Sequence, residues 1–128
     1  MNVLSIDFGD ARIGLAHATT DVKLALPLRV LQNTPQVWKD IQDILQEYDI
    51  DYILVGLPIN LDSQDTIQTQ KVRTFVEILK EKFTGTIELL DERMTSVMAS
   101  RYLEKGQSID VESARILLEE WLEKKINL

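Results

Sequence analysis

Apolar residues come in short runs near the amino terminus and at helical spacing further along the chain. Residues 3–8 form a mostly apolar run that Gly9 ends, and residues 12–18 form a second run directly after it. This pattern predicts two antiparallel strands joined by a tight hairpin. Residues 24–31 continue the pattern as a third strand, and Pro27 favours a position at the edge of the sheet.

From residue 34 onwards the apolar spacing changes to that of a helix. Pro35 suits a first helical turn, and the apolar stripe that follows consists of Val37, Ile41, Ile44, Leu45 and Tyr48. Residues 52–56 then form a continuous apolar run that is too short for a helix. We therefore expect an amphipathic helix followed by a strand that is buried on both faces.

A second helix is predicted after residue 63, and Gly85 separates it from a strand over residues 86–90. Its apolar positions are Val72, Phe75, Val76, Leu79 and Phe83. A strand, helix and strand in this order imply a parallel pair of strands. Two helices complete the prediction, one over residues 96–105 that Gly106 stops, and a last one with an apolar face of Val111, Ala114, Leu117, Leu118, Trp121 and Leu122.

Length and composition narrow the classes of protein that fit this pattern. The 128 residues suit one domain over positions 1–128, and the absence of cysteine excludes a disulfide scaffold, a thiolate nucleophile and cysteine-bound metals. Asp and Glu outnumber Lys and Arg by 21 to 14, which argues against a protein that wraps nucleic acid but leaves room for a local basic patch. We see no signal peptide and no membrane-spanning run, so the expected location is the cytoplasm.

Acidic residues fall where the predicted parallel strands end, and those ends share one edge of the sheet. Asp7 interrupts an apolar strand, which is costly unless it binds a cation or hydrogen-bonds the following turn. Strand alternation lets only one of Asp91 and Glu92 point with Asp7. Asp110 begins the last helix, where an acid commonly serves as a cap. Together Asp7, Glu92 and Asp110 have the oxygen ligands for Mg²⁺ and for phosphodiester cleavage with two ions.

Four segments, in this order, resemble motifs of the YqgF family, the RNase H-like proteins described as Holliday-junction resolvases or pre-16S rRNA nucleases. The segments are residues 7–16 (DFGDARIGLA), 55–60 (VGLPIN), 70–75 (QKVRTF) and 91–96 (DERMTS). The resemblance extends over nearly the whole chain. It implies an α/β protein with an RNase H-like fold, in which a mixed five-stranded sheet of order 3-2-1-4-5 has helices on both faces.

The resemblance also implies a catalytic triad of acids that binds Mg²⁺ or Mn²⁺, carried over onto Asp7, Glu92 and Asp110. The suspected site holds two ions, which replace a histidine base, so His17 is expected to pack or to face solvent. This chain departs from the family at residues 106–109, where a short segment replaces a basic loop. That departure and the acidic composition favour a weak or partner-assisted nuclease over one that binds a long duplex tightly without a partner.

Five residues near the acids are candidates for holding a substrate's phosphates: Arg12, Asn60, Lys71, Arg73 and Arg93. For Lys71 and Arg73, ordinary solvated charge is an equal alternative. The expected activity is metal-dependent endonucleolytic hydrolysis, either at the 5′ end of pre-16S ribosomal RNA or in branched DNA such as a Holliday junction. The expected partner is therefore nucleic acid and not a membrane, and the protein is expected to be a monomer or a weak homodimer.

Two other classes of function compete with a nuclease. An RNase H-like domain without activity could bind a ribosomal precursor or a protein, and this alternative gains if Asp110 only caps its helix and faces away from Asp7. Nucleotide phosphotransfer is a third class, because Asp-x-Gly before a hairpin also opens the actin and sugar-kinase type of ATPase. Those enzymes need two such domains around a cleft, whereas 128 residues supply one.

Overall fold

A computed structural model of the chain describes residues 1–58, 66–91 and 110–126, apart from the side chains at positions 23, 110, 111, 125 and 126. Its strands are β1 (Asn2–Phe8), β2 (Arg12–Thr19), β3 (Val22–Gln32), β4 (Tyr52–Leu57) and β5 (Thr86–Asp91). Its helices are α1 (Val37–Glu47), α2 (Ile67–Lys82) and α3 (Asp110–Ile126). The helix predicted over residues 96–105 lies outside the described residues.

The strands form one mixed sheet in the order β3-β2-β1-β4-β5. β1 pairs antiparallel with β2 and parallel with β4, and β4 pairs parallel with β5. The predicted order, the central position of the first strand and the parallel unit around α2 are therefore confirmed. β3, which contains Pro27, is an edge strand as predicted.

Alternate side chains of β1, the central strand, pack into two separate hydrophobic layers. Leu4 and Ile6 on β1 pack into the layer beneath α1 and α2. Val3 packs into the layer beneath α3, together with Leu117 and Leu118 of that helix. The period-two alternation of a strand buried on both faces thus places helices on both faces of the sheet, as predicted.

The helices follow their apolar spacing with two differences at their ends. α1 begins at Val37, so Pro35 lies in the turn before it and not in its first turn. α2 begins after Thr66, which forms a capping box with Thr69, and it ends at Lys82. Phe83, predicted on the stripe of this helix, is extended instead, because the chain turns there towards β5. In the part of the chain that the structure describes, no helix is both long and apolar enough to cross a membrane.

Gly85 makes that turn possible. A Cβ atom at this position would lie 2.6 Å from the carbonyl oxygen of Asp51, which precedes β4. Real Cβ atoms do not approach a backbone oxygen so closely, so only glycine lets the chain enter β5 beside β4. The glycine that separates α2 from β5 in the sequence thus has a steric role.

Glu88 on β5 joins the last helix to the sheet. It accepts a hydrogen bond from Nε1 of Trp121 on α3 at 3.1 Å and another from the hydroxyl group of Tyr52 on β4. The rings of Tyr52 and Trp121 also pack together, with centroids 5.1 Å apart. Burial, together with the hydrogen bond to Glu88, raises the pKa of Tyr52 to about 12.

Replacing Glu88 with Leu tests this junction. The Tyr52 hydroxyl and the Trp121 N–H would lose their acceptor, so the free energy of unfolding should fall by about 1–3 kcal/mol in urea denaturation. Glu88→Gln keeps an acceptor oxygen and should lose less, while the pKa of Tyr52 moves down towards its ordinary value. An unchanged unfolding midpoint for Glu88→Leu would show that this junction does not stabilise the fold.

Candidate active site at the sheet edge

The carboxyl ends of the three parallel strands meet at one edge of the sheet. Ile6 on β1 is in register with Val55 on β4, and Leu57 on β4 is in register with Asp91 on β5. Asp7, one residue after Ile6, therefore lies level with Gly56 and Leu90, which precede the last residues of β4 and β5. This edge is where ligands bind in open α/β sheets.

Asp7 is buried at this edge. Its side chain is 4% exposed, and it is the one ionisable group among the fully buried residues of the described chain. Because Leu4 and Ile6 face α1 and α2, the alternation of β1 puts Asp7 on the opposite face, with Val3, beneath α3. An isolated buried carboxylate is strongly disfavoured, so this position calls for a cation or for hydrogen-bond donors.

The length of α3 suffices to bring its first residue to the same edge. Trp121 contacts Tyr52, which is in register with Val3 at the opposite end of the strands. Position 110 lies eleven residues before Trp121, or about 16 Å along the helix. Asp7 lies four residues beyond Val3, or about 13 Å along the strand. An α3 that runs antiparallel to β1 therefore reaches the level of Asp7.

Position 110 also lies on the face of α3 that packs on the sheet. Ser113 and Ala114, three and four residues further on, are both buried at the interface with the sheet. Residues three and four apart share one face of a helix. The backbone of α3 thus gives Asp110 a position on the sheet side, although its side chain lies outside the described atoms.

Two buried hydroxyl groups lie in the same interface between the sheet and α3. Ser5 on β1 is 0% exposed and Ser113 on α3 is 1% exposed, and neither Oγ atom has a hydrogen-bond partner among the described residues. Asp7 is buried in the same layer, so three side chains there carry oxygen atoms. Oxygen is the ligand atom that Mg²⁺ and Mn²⁺ prefer, so the chemistry of the Asp7 carboxylate suits a hard divalent ion.

The described side chains do not complete a metal site by themselves. Among them there is no group of three or more acids or histidines that could hold an ion. Glu92 lies outside the described residues, as do Asn60 and Arg93, and of Asp110 only the backbone is described. On β5, Leu89 packs beneath α1 and α2, so by alternation Asp91 faces away from Asp7.

Asn33, the residue directly after β3, holds the turn that follows Asp7. Asn33 donates from Nδ2 to the carbonyl oxygen of Gly9 at 2.8 Å, and its backbone N–H donates to the carbonyl of Ala11 at 2.9 Å. A Cβ atom on Gly9 would lie 2.6 Å from the carbonyl oxygen of Arg12. The sequence pattern does not indicate Asn33, because an Asn after a strand is an ordinary turn residue. The carbonyl group that it contacts lies 24 positions earlier in the chain.

Lys71, one of the cations predicted to hold a substrate phosphate, lies at this turn. Its Nζ lies 3.1 Å from Oδ1 of Asp10, so α2 reaches the turn between β1 and β2 through an ion pair. Both side chains are about half exposed, and such a pair adds little stability. Arg12 is exposed at the start of β2, and Arg73 is half-buried on α2. Asp10 is a partner that the sequence pattern did not single out.

α2 is fixed to the same edge through its first turn. The hydroxyl of Thr69, which is fully buried, donates to the carbonyl of Pro58 directly after β4. Thr66 and Thr69 also exchange the hydrogen bonds of the capping box. The helix that carries Lys71 is therefore anchored to the end of a central parallel strand.

His17 takes no part in this site. It is in register with Leu4, three positions from the Asp7–Gly14 pair, and its ring packs 5.0 Å from that of Tyr48. Burial lowers the pKa of His17, which favours the neutral ring. Of the two predicted placements, packing or facing solvent, the ring packs, against Tyr48.

Comparison with known proteins agrees with this geometry. Residues 1–124 match the family model RuvX, described as a Holliday junction resolvase. A relative from Maridesulfovibrio salexigens is 35% identical, with 95% of this chain and 98% of that protein covered. One from Edwardsiella ictaluri is also 35% identical, over 96% of this chain and 95% of its own. Both carry the name "Putative pre-16S rRNA nuclease".

Solved structures share the fold at much lower identity. RuvC of Thermus thermophilus in complex with a Holliday junction substrate superimposes with a TM-score of 0.65 at 13% identity, covering 98% of this chain and 96% of that one. The fowlpox virus Holliday junction resolvase gives 0.57 at 10% identity, covering 97% and 99%. The predicted RNase H-like fold is confirmed by this agreement.

Gly9→Ala tests the packing of the turn after Asp7. The added methyl group meets the backbone of Arg12, so the turn must shift, and we expect a loss of about 1–3 kcal/mol in the free energy of unfolding. Ala11→Ser, in the same turn at an exposed position, is the matched control and should change it by less than about 0.5 kcal/mol. Equal effects in thermal unfolding would contradict the close approach at Gly9.

Proposed function

Since the chain belongs to the RuvX family of Holliday junction resolvases, we propose that it is a nuclease that hydrolyses phosphodiester bonds in precursor ribosomal RNA or in branched DNA. The buried carboxylate of Asp7 at the ligand-binding edge of the sheet carries this proposal. A fold alone does not define an activity. A buried acid at the ligand-binding edge is, in contrast, a residue type that active sites use. The names of the curated relatives favour pre-16S ribosomal RNA as the substrate.

We assign Asp7, Glu92 and Asp110 as the ligands of divalent metal. Asp91, the last residue of β5, faces away from Asp7, and Glu92 follows it in the sequence. Asp110 is the first residue of α3. Support for the set comes from the order of the elements, since Asp7 lies near the end of β1, Glu92 follows β5 in the sequence and Asp110 begins α3.

Mg²⁺ or Mn²⁺ held by these acids would activate a water molecule and stabilise the leaving oxygen. The protein's own contribution is to gather acids that would otherwise repel one another and to bury one of them. Asn33 and Gly9 hold the turn after Asp7, so the carboxylate is fixed before substrate arrives. Such preorganisation is what a positioned water requires.

The proposed phosphate contacts are Arg12, Asn60, Lys71, Arg73 and Arg93. Lys71 has the best support, because its ammonium group already lies at the turn that follows Asp7. A substrate phosphate would compete with Asp10 for this cation. With a net charge of −7, these few cations suit a local feature of a folded nucleic acid better than a long duplex.

A cleavage assay with Asp7→Asn tests the proposal. With Mn²⁺ and either a precursor 16S RNA fragment or a four-way DNA junction, the wild type should cut and Asp7→Asn should lose at least about a hundredfold in rate, because an amide is a poor ligand for a hard cation. Asp21→Asn, which changes an exposed acid in the turn between β2 and β3, is the matched control and should retain cleavage. The two substrates decide between RNA and DNA.

Equal cleavage by the wild type and Asp7→Asn would contradict the assigned site. No cleavage by the wild type, combined with tight binding of the RNA fragment, would instead favour an RNase H-like interaction domain. Glu92→Gln and Asp110→Asn extend the test to the acids whose side chains lie outside the described atoms. An Asp110→Asn variant that cuts normally would make this acid a helix cap only.

A further inference from the structure

A groove of about 430 Å³ opens between α1 and α2 beside the turn that follows Asp7. Phe8 lines it, and this residue directly follows Asp7 in β1. Since Phe8 packs against the layer beneath α1 and α2, the groove lies on the other face of the sheet from Asp7, at the same edge. Its volume is within the range of small-molecule sites.

Three aromatic side chains form one wall of this groove. The rings of Trp38 on α1 and Phe75 on α2 stack with centroids 4.9 Å apart and planes at 23°, and Phe8 packs on Phe75 at 5.0 Å. Phe75 is almost fully buried, whereas Phe8 and Trp38 are half-buried and keep ring surface at the groove. Nζ of the exposed Lys82 lies 5.7 Å over the ring of Trp38, so a base that stacks on this indole face would displace the lysine side chain.

The rest of the lining is mixed and carries no negative charge. Ile67 and Ile78 add apolar surface, while Asn33, Gln70, Lys71 and Thr74 are polar, and no Asp or Glu lines the groove in a chain with 21 acids. Lys71 supplies a cation at one end, and Lys82 lies outside the lining, over Trp38. Amide and hydroxyl groups pair with the edges of nucleobases, and aromatic rings stack on their faces.

The groove and the candidate active site share residues. Asn33 lines the groove and holds the carbonyl of Gly9, while Lys71 lines it and contacts Asp10. A strand with a phosphate at Asp7 would therefore pass the groove at the same edge of the sheet. Bases in a duplex are stacked and paired, so only an unpaired base can enter a site of this kind.

We propose that this groove binds an unpaired nucleobase of the nucleic-acid substrate, next to the phosphate held at the Asp7 edge. The inference rests on the proposed nuclease function and deepens it, because it makes an unpaired nucleotide beside the cut the feature that the protein recognises. Folded RNA and branched junctions both offer such nucleotides.

Tryptophan fluorescence tests the groove without cleavage. In EDTA, single-stranded RNA of about ten nucleotides, a length that such sites commonly span, should quench the wild-type emission, and a duplex of equal length should quench it little. Trp38→Phe should abolish the quenching, because the remaining Trp121 is 4% exposed beneath α3, on the opposite face of the sheet. Quenching that persists in Trp38→Phe, or its absence in the wild type, would overturn the proposal.

Affinity for the same labelled RNA gives the second measurement. Trp38→Ala should weaken binding about tenfold, as expected for loss of one stacked base. Leu26→Ala, which truncates an exposed apolar residue of β3, is the control and should bind as the wild type does. An unchanged affinity in a folded Trp38→Ala variant would overturn the proposal, and so would a Trp38-dependent self-association of the chain in place of RNA binding.

Cleavage and quenching measured on the same variants distinguish the proposed nuclease activity from the proposed base-binding groove. Asp7→Asn should lose cleavage in Mn²⁺ and keep the quenching in EDTA, since the carboxylate lies on the other face of the sheet. Quenching without cleavage by the wild type would contradict the nuclease and support the groove. Cleavage with no Trp38-dependent quenching would support the nuclease and contradict the groove.

Discussion

The burial of one carboxylate at the end of the central strand is the constraint on which the rest of the structure depends. β1 is apolar on both faces because helices cover it on both sides, and Asp7 is placed where that cover ends. A charge at this depth must be compensated by donors or by a cation. Parallel pairing of β1 with β4, and of β4 with β5, brings the neighbouring strand ends to the same level and so makes compensation by shared metal ions feasible.

The contacts around this edge serve mainly to hold its parts in register. Glu88 ties α3 to β4 and β5 through Trp121 and Tyr52. Asn33 and Gly9 fix the turn that leaves β1, and Thr69 fixes α2 beside Pro58. The aromatic groove is attached to this frame through Phe8, which follows Asp7 in β1 and faces the other side of the sheet.

Periodicity predicted the strands and the helix faces because burial on one or two sides imposes its own spacing on a sequence, whereas the strand order came from the resemblance to the YqgF family. Asp7 could be identified because a charge in an apolar strand violates that spacing. Asn33 and Glu88 could not be identified in this way, since each is an ordinary polar residue whose partner lies far along the chain. The end of α2 was misplaced at Phe83 because an apolar residue fits both a helical stripe and the hydrophobic layer that it packs against.

The acidic character of the chain is also explained by this arrangement. Nine of the 21 acids lie on the described helices with side chains that are exposed or half-buried, and the groove beside the candidate site has none in its lining. Diffraction from crystals soaked in Mn²⁺ tests the central claim most directly, because Mn²⁺ scatters anomalously. We expect two anomalous peaks at the sheet edge, both within ligand distance of the Asp7 carboxylate and shared with Glu92 and Asp110. Crystals that bind Mn²⁺ elsewhere but leave Asp7 without a peak would contradict the account.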